Sequence, residues 1–448
     1  MIEETELMGL AVEASEAARK AGASHADIFL QDSREVAVEI EKNSIRTGDI
    51  TYEAGYCVRT FHKGGTGFSR GSGLDRNRII ESCGDSFAMA KESEQNPDFK
   101  GLPHPLPFSD VSSLYSSEVA DFSASEAIKW GIRCIDAARE IEPGVIVKGG
   151  FSAGASVSAL ANTNGVSASE LDSFISFYVF SMVRRGDEVG SFYEYSQARR
   201  ISDLKSPEEV ARLATRRALS FLDSRKIESG VYPVILGPLS ARDFIGGVIG
   251  AASAEEVQRG RSFLSDRRAK QIAPEILTVT EDPLFPAGIG SSPSDGEGFP
   301  RRKHTLISDG VLTTFLHNSY TAGKAGEENT GHAARGSFNS NISIGITNMS
   351  LKPGAVSEKD MLSGIKDGLY VFMGSIAPDV VTGQISGTVD FGFRILNGEL
   401  AHPVENVMVG GNVFDFLSRL EAVSSDFREE PGNVMPSLLL GGISVASA

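Results

Sequence analysis

The stretch Tyr232-Pro-Val-Ile-Leu-Gly237-Pro238-Leu-Ser-Ala-Arg-Asp-Phe-Ile-Gly246-Gly247-Val-Ile-Gly250-Ala251-Ala252 decides how this chain is read. Val-Ile-Leu is a short apolar run bounded by turn residues, which predicts a buried strand. Gly237-Pro238 ends it, and a proline suits the first turn of a helix. The residues that follow predict a helix over about 239–253. That helix is unusual: Gly246 and Gly250 stand one turn apart, as do Gly247 and Ala251, so one strip has almost no side chain. A glycine inside a helix costs about 1 kcal/mol relative to alanine. Three of them in five residues predict close approach by another backbone. Tight internal packing is one reading, and a pocket floor where an extended peptide lies is the other.

Outward from this stretch the chain divides into three units: an N-terminal α+β domain at 1–108, a central α+β domain at 109–226 and a β-rich C-terminal domain at 227–448. The class is α+β: an N-terminal α/β region with a mixed sheet and flanking helices, then a large β-rich domain. Residues 5–21 have an amphipathic helical spacing through Leu7, Leu10, Ala11, Ala14 and Ala18, ended by Gly22. Short strands follow at 27–30, 36–40 and 54–61, then a helix from Asp75 to about Lys91. The Pro-rich segment 96–107 reads as an extended linker. Residues 122–140 are helical, and strands are expected at 145–147, 156–160 and 174–183. Ser206-Pro-Glu-Glu209 has the form of a capping box opening a helix to about Leu222. A further helix is expected at 357–368.

Forty-three basic and 59 acidic residues give a net charge of −16, which opposes broad contact with a nucleic acid backbone. The three cysteines, Cys57, Cys83 and Cys134, form no pattern, and this favours a reducing, cytoplasmic setting. The acidic N-terminus is not a secretory signal. No apolar run approaches the ~18 residues of a membrane span. Seven histidines are present, none three to five residues from another, so no helical or finger-type metal pair exists. Gly150-Phe-Ser152-Ala-Gly154 fits a nucleophile elbow, but alternation continues after Ser152 where a helix is required. The Gly-rich run 64–71 lacks phosphate-loop spacing and reads as a hairpin.

Many short motifs occur in a fixed order: Gly22-Ala-Ser-His-Ala-Asp27, Lys42-Asn-Ser-Ile45, Glu281-Asp-Pro283, Ser294-Asp-Gly-Glu-Gly298, His317-Asn-Ser-Tyr320, Thr330-Gly-His332 and Gly411-Asn412 among them. With the opening stretch, this series resembles the TldD/PmbA family, also described as modulators of DNA gyrase, over nearly the whole chain. The resemblance implies a zinc metallopeptidase scaffold. In the catalytic branch, a His-Glu-x-x-x-His motif follows the Gly-Pro turn and a late cysteine completes the ligands. The matching positions here are Gly246, Gly247 and Ala251, and the late position falls near Met435. A catalytic zinc needs about three protein ligands and a nearby base, and none of these residue types can serve.

The chain therefore resembles the TldE/PmbA branch, the non-catalytic subunit of a complex that degrades or processes unfolded peptides. The implied catalytic residues and metal ligands in this chain are none. Zinc is expected only in a TldD-type partner. The implied partners are that catalytic subunit, or a second copy of this chain, and an unfolded peptide, with no nucleic acid and no membrane. Asp295, Glu297, Gly298, His317 and Tyr320 are the candidate substrate contacts. Their structural alternatives are a turn-stabilising acidic loop and hydrogen-bonded structural histidines. Two further readings stand beside this one: a homodimeric peptide-binding scaffold, and a metallopeptidase using an unrecognised site.

Overall fold

The computed structural model describes residues 1–447. Helix α1 (Glu4–Ala21) opens the chain and ends at Gly22 in the left-handed region. Three strands follow, β1 (His25–Glu41), β2 (Ser44–His62) and β3 (Gly65–Ser72), then α2 (Arg76–Glu92) capped by the Asp75 carboxylate. A short helix α3 (Ser117–Ala120) and a long one, α4 (Ala124–Ile141), lead into β4 (Ile146–Asn162), β5 (Ser167–Arg185), β6 (Glu188–Ala198) and α5 (Pro207–Ser220). The six strands form one sheet in the order β3-β2-β1-β4-β5-β6. Every ladder in it is antiparallel, so the mixing of strand directions expected here lies elsewhere. The first two units thus share one sheet, joined by the β1–β4 ladder from Asp27↔Asn162 to Ile40↔Gly149.

The separate short strands expected at 27–30 and 36–40 are one continuous β1. The full capping box occurs at Ser123 and Glu126 of α4. At α5 the Ser206 hydroxyl accepts from the Glu209 N–H, and no return bond from the Glu209 side chain is present. Ser152 sits inside β4, which continues as a strand to Asn162. This is an elbow in sequence only.

In the C-terminal unit, β7 (Gly230–Leu236) runs parallel to strand Asp367–Ser375 and antiparallel to Asn433–Ser447. From Asn433–Ser447 the sheet passes to Val407–Asn412 and then to Gln384–Leu396. That last strand pairs back with Asp367–Ser375. The five strands therefore close into a barrel, which removes open edges from its wall. The β7 pairing is the only parallel strand ladder among the described residues. Helix α6 (Pro238–Gly250) buries Phe244, Ile245, Val248 and Ile249 in the barrel-side core, each contributing roughly 1.5–3 kcal/mol. No helix among the described residues is long and apolar enough to cross a membrane.

Candidate functional site

Helix α6 is held by a backbone bond at its start and by a side chain at its middle. Gly237 donates its N–H to Val371 O at 2.9 Å, and Pro238 takes the first turn. Asp243, one turn before Gly247, accepts the N–H groups of Ile376 (2.6 Å) and Ala377 (2.9 Å). This carboxylate pins the loop at 376–378 across the glycine strip. A Cβ on Gly247 would lie 2.6 Å from Pro378 Cδ and 3.0 Å from Ala377 Cβ. Gly246 has only Met349 Cε at 4.0 Å, and Gly250 faces open space. Ala251 is fully buried, and Met435 lies in the same core.

A family-type zinc site does not fit these residues. Two of the three helix positions have no side chain, the third is an alanine in the core, and the carboxylate position is filled by a proline ring. No cluster of three or more potential metal ligands occurs among the described residues.

The acidic loop lies at the junction between the C-terminal unit and the six-stranded sheet. Asp295 Oδ1 accepts from the N–H groups of Glu297 and Phe299, both at 2.9 Å, and Oδ2 accepts from Ala333 N–H at 3.1 Å. Burial, with the nearby Glu297 charge, pushes the Asp295 carboxyl upward from the ordinary range. Glu297 reaches across the junction. Its Oε1 accepts from Arg59 of β2 at 2.9 Å, and its Oε2 accepts from the Ser319 N–H at 2.9 Å. Arg59 also binds Asp27 of β1 (Nε to Oδ2, 2.7 Å), and Asp27 accepts from Arg335 at 2.9 Å. Burial opposes the Arg59 charge, but Asp27 and Glu297 outweigh it, and the guanidinium is held charged. This four-residue ion network is buried and alternates in sign, which satisfies the requirement that buried charges be paired. A Cβ on Gly298 would press on Val166 and Leu160.

His317 is 2% exposed. Neither ring nitrogen has a hydrogen-bond partner among the described residues, and Nε2 lies 3.5 Å from a Glu327 oxygen. Burial lowers its pKa. His332 is differently placed, with Nδ1 at 2.8 Å from Thr330 Oγ1 and Nε2 at 2.5 Å from Glu281. Burial raises the Glu281 carboxyl, but His332 and Thr347 more than offset this and hold it below its ordinary value. Tyr320 accepts a bond from Asn96 Nδ2 at 3.1 Å. The structure therefore brings Asp295, Glu297, Gly298 and Tyr320 to the junction with the N-terminal half, whereas the polar neighbours of the His317 ring lie within the C-terminal unit. Of the five, only Asp295 borders the adjoining cavity. Asp27, which closes the first of the quoted motifs, completes the arrangement with Arg59 and Arg335; none of the three is among the candidate site residues.

Against this geometry, three models of one metallopeptidase family match the chain in order. The PmbA/TldA metallopeptidase domain 1 covers residues 26–90, the central domain 117–222 and the C-terminal domain 229–447. This chain belongs to the PmbA/TldD family. The metalloprotease PmbA of Escherichia coli O157:H7 is 27% identical over 425 residues, 94% of this chain and 92% of that protein. A PmbA homolog from Haemophilus influenzae is also 27% identical, covering 99% and 97%. Among solved structures, TldE from Thermococcus kodakarensis superposes with a TM-score of 0.90 at 21% identity, covering 99% of this chain and 100% of that one. At that identity the likeness speaks for fold alone. Within the PmbA/TldD frame, the boundary between the first two family domains falls between β3 and β4, inside a single sheet.

Proposed function

We propose that this chain is a non-catalytic, TldE-type subunit. It pairs with a TldD-type subunit in the cytoplasm and contributes a wall against which an unfolded peptide is held. The observation that carries this reading is helix α6, where a full family scaffold lacks every metal-site group and Pro378 fills the carboxylate position. The catalytic metal would be brought by the partner. Three buried free thiols agree with a reducing compartment.

An extended peptide is recognised most simply by adding a strand to an open edge. On this chain β3 covers only the Gly55–His62 part of β2, and Gly73 N–H bonds the Ala54 carbonyl, so residues 44–53 keep an unpaired edge. Ile50 and Tyr52, at 46% and 70% exposure, stand along it.

The test is purification alone and after co-expression with a TldD-type chain from the same genome. We expect no metal and no chelator-sensitive cleavage of unfolded peptide from the single chain, and both from the complex. Cleavage by the isolated chain would overturn the non-catalytic reading. A homodimer that binds peptide and ignores every TldD-type chain would favour the scaffold alternative.

A further inference from the structure

A cavity of about 280 Å³ lies where β1, β4 and β5 meet the loops at 289–301 and 335–336. Register explains its chemistry. Gln31, Ser158 and Glu170 stand side by side across the three strands, and Ser33, Ser156 and Asp172 form the next row. Side chains two apart on a strand share a face, so Glu170 and Asp172 project together. Each has a single hydroxyl partner: Ser292 Oγ is 2.5 Å from Glu170, and Ser156 Oγ is 3.2 Å from Asp172. Among the described residues no lysine or arginine nitrogen lies within 4.0 Å of either carboxylate.

The lining carries the opposite charge as well. Arg199 spends its donors on the carbonyls of Gly288 (2.8 Å), Ile289 (3.0 Å), Ser291 (3.0 Å) and Leu114 (3.2 Å), and so fixes the loop that closes the cavity. Arg301 donates from Nε to Ser294 O at 3.0 Å and from Nη2 to Ala333 O at 3.5 Å, leaving Nη1 without an acceptor. Neither arginine has a carboxylate within 4.0 Å among the described residues. Three carboxylates and three guanidiniums line the cavity. Arg335 pairs with Asp27 and Asp295 is held by backbone N–H groups, which leaves Glu170, Asp172, Arg199 and Arg301 without a close ion pair among the described residues. Arg199 and Arg301 act on Glu170, and Arg199 on Asp172, only at longer range, and burial still outweighs them. A ligand that carries both charges would complete the pairing.

We propose that this cavity binds a zwitterion of amino-acid or dipeptide size, its ammonium at Glu170 and Asp172 and its carboxylate at Arg301 Nη1. The volume supports the size class, since drug-sized ligands occupy pockets of about 300 Å³ and above. The hydroxyls of Ser156, Ser158 and Ser294 supply neutral donors and acceptors between the two poles. Phe29 and Leu160 give a small apolar patch for a side chain. Hydrolysis of a peptide bond liberates molecules of this kind, but the site stands on its own residues and needs no partner subunit.

The test is thermal denaturation of the full-length chain with a panel of free amino acids and dipeptides at millimolar concentration, followed by calorimetry on the best binder. N-acetyl and C-amide forms of the same molecules are the controls. We expect a free zwitterion to raise Tm, and either blocked form to bind at least about tenfold more weakly, which is about 1.4 kcal/mol. The double variant Glu170→Gln/Asp172→Asn and the single variant Arg301→Gln should each weaken binding by a similar factor, while circular dichroism shows the fold retained. If no zwitterion shifts Tm, the cavity is merely hydrated and the assignment fails. Equal binding of blocked and free forms, or binding unchanged in these variants, also overturns it. A misfolded double variant leaves Arg301→Gln and the blocked ligands to decide.

Discussion

Phe338 occupies the space that a side chain on Gly55 would take. A Cβ there would lie 2.3 Å from the ring, and the ring itself is 1% exposed. The loop carrying Phe338 belongs to the C-terminal unit, whereas Gly55 lies on β2, so the absence of one methyl group allows the two halves to dock. Gly55→Ala should therefore destabilise the protein by about 1–3 kcal/mol through overpacking. Phe338→Ala should cost about 3–5 kcal/mol by leaving a cavity. In denaturant melts the double variant should cost less than the sum, because the smaller residue relieves the clash. Strict additivity would mean that the contact does not couple the halves.

The pair formed by Arg59 and Glu297 is the polar counterpart of that dock. Glu297→Ala removes one of two anions facing a buried guanidinium and also strips the Ser319 N–H of its acceptor. Removing one partner of a buried pair costs about 3–5 kcal/mol. We expect a correspondingly lower denaturant midpoint, with salt having little effect. A loss below about 1 kcal/mol, the range of exposed pairs, would show that the junction is hydrated.

Putting the lost motif back should not create a metal site. Gly246→His/Gly247→Glu/Ala251→His supplies the residue types, yet Gly247→Glu drives a side chain into Pro378 and Ala251→His enlarges a fully buried position. The triple variant should bind less than one zinc per chain by elemental analysis and melt lower than the parent. Stoichiometric zinc with chelator-sensitive peptidase activity would refute this.

Acid should weaken the fold in steps. His304 and His317 have pKa values lowered mainly by burial, so the unfolded chain takes up protons first. Stability from these histidines is present at neutral pH and is lost as pH falls through about 6.5 and below. Glu281, whose pKa is depressed, adds stability above the unfolded carboxylate value and loses it at lower pH. Glu170, Asp172 and Asp295 are raised by burial and act in the opposite sense, so their cost is relieved on acidification. His317→Leu should flatten the decline between neutral pH and about pH 5, since neither ring nitrogen has a hydrogen bond to lose. An unchanged pH profile would place the sensitivity at His304 or His25, whose pKa burial also lowers.

Much of this was legible in the residues. Helices α1, α2, α4 and α5 follow from apolar spacing and caps, and β7, the Gly-Pro turn and α6 from the opening stretch. The long strands were legible only in pieces, for a physical reason. Where β1 and β5 turn toward the cavity, they carry Gln31, Glu170 and Asp172, so the apolar alternation that marks a strand lapses there. The same lapse was the available signal for the cavity, and it looked like loop. Barrel closure was not legible, because it depends on Asp367–Ser375 pairing on both sides, and no local pattern encodes that. The Arg59, Asp27 and Arg335 network was hidden similarly, since its members lie far apart along the chain.

The ladder between β1 and β4 bears on how the chain is made. During synthesis the meander of β1, β2 and β3 can form early, but the second edge of β1 is not fully covered until Asn162 has been added. At a ribosomal rate of roughly 5–20 residues per second, that edge stays open for on the order of ten seconds. The charged residues Asp32, Arg34, Glu35 and Glu39 along β1 then act as a guard, because charge on an open strand discourages pairing with a neighbouring nascent chain.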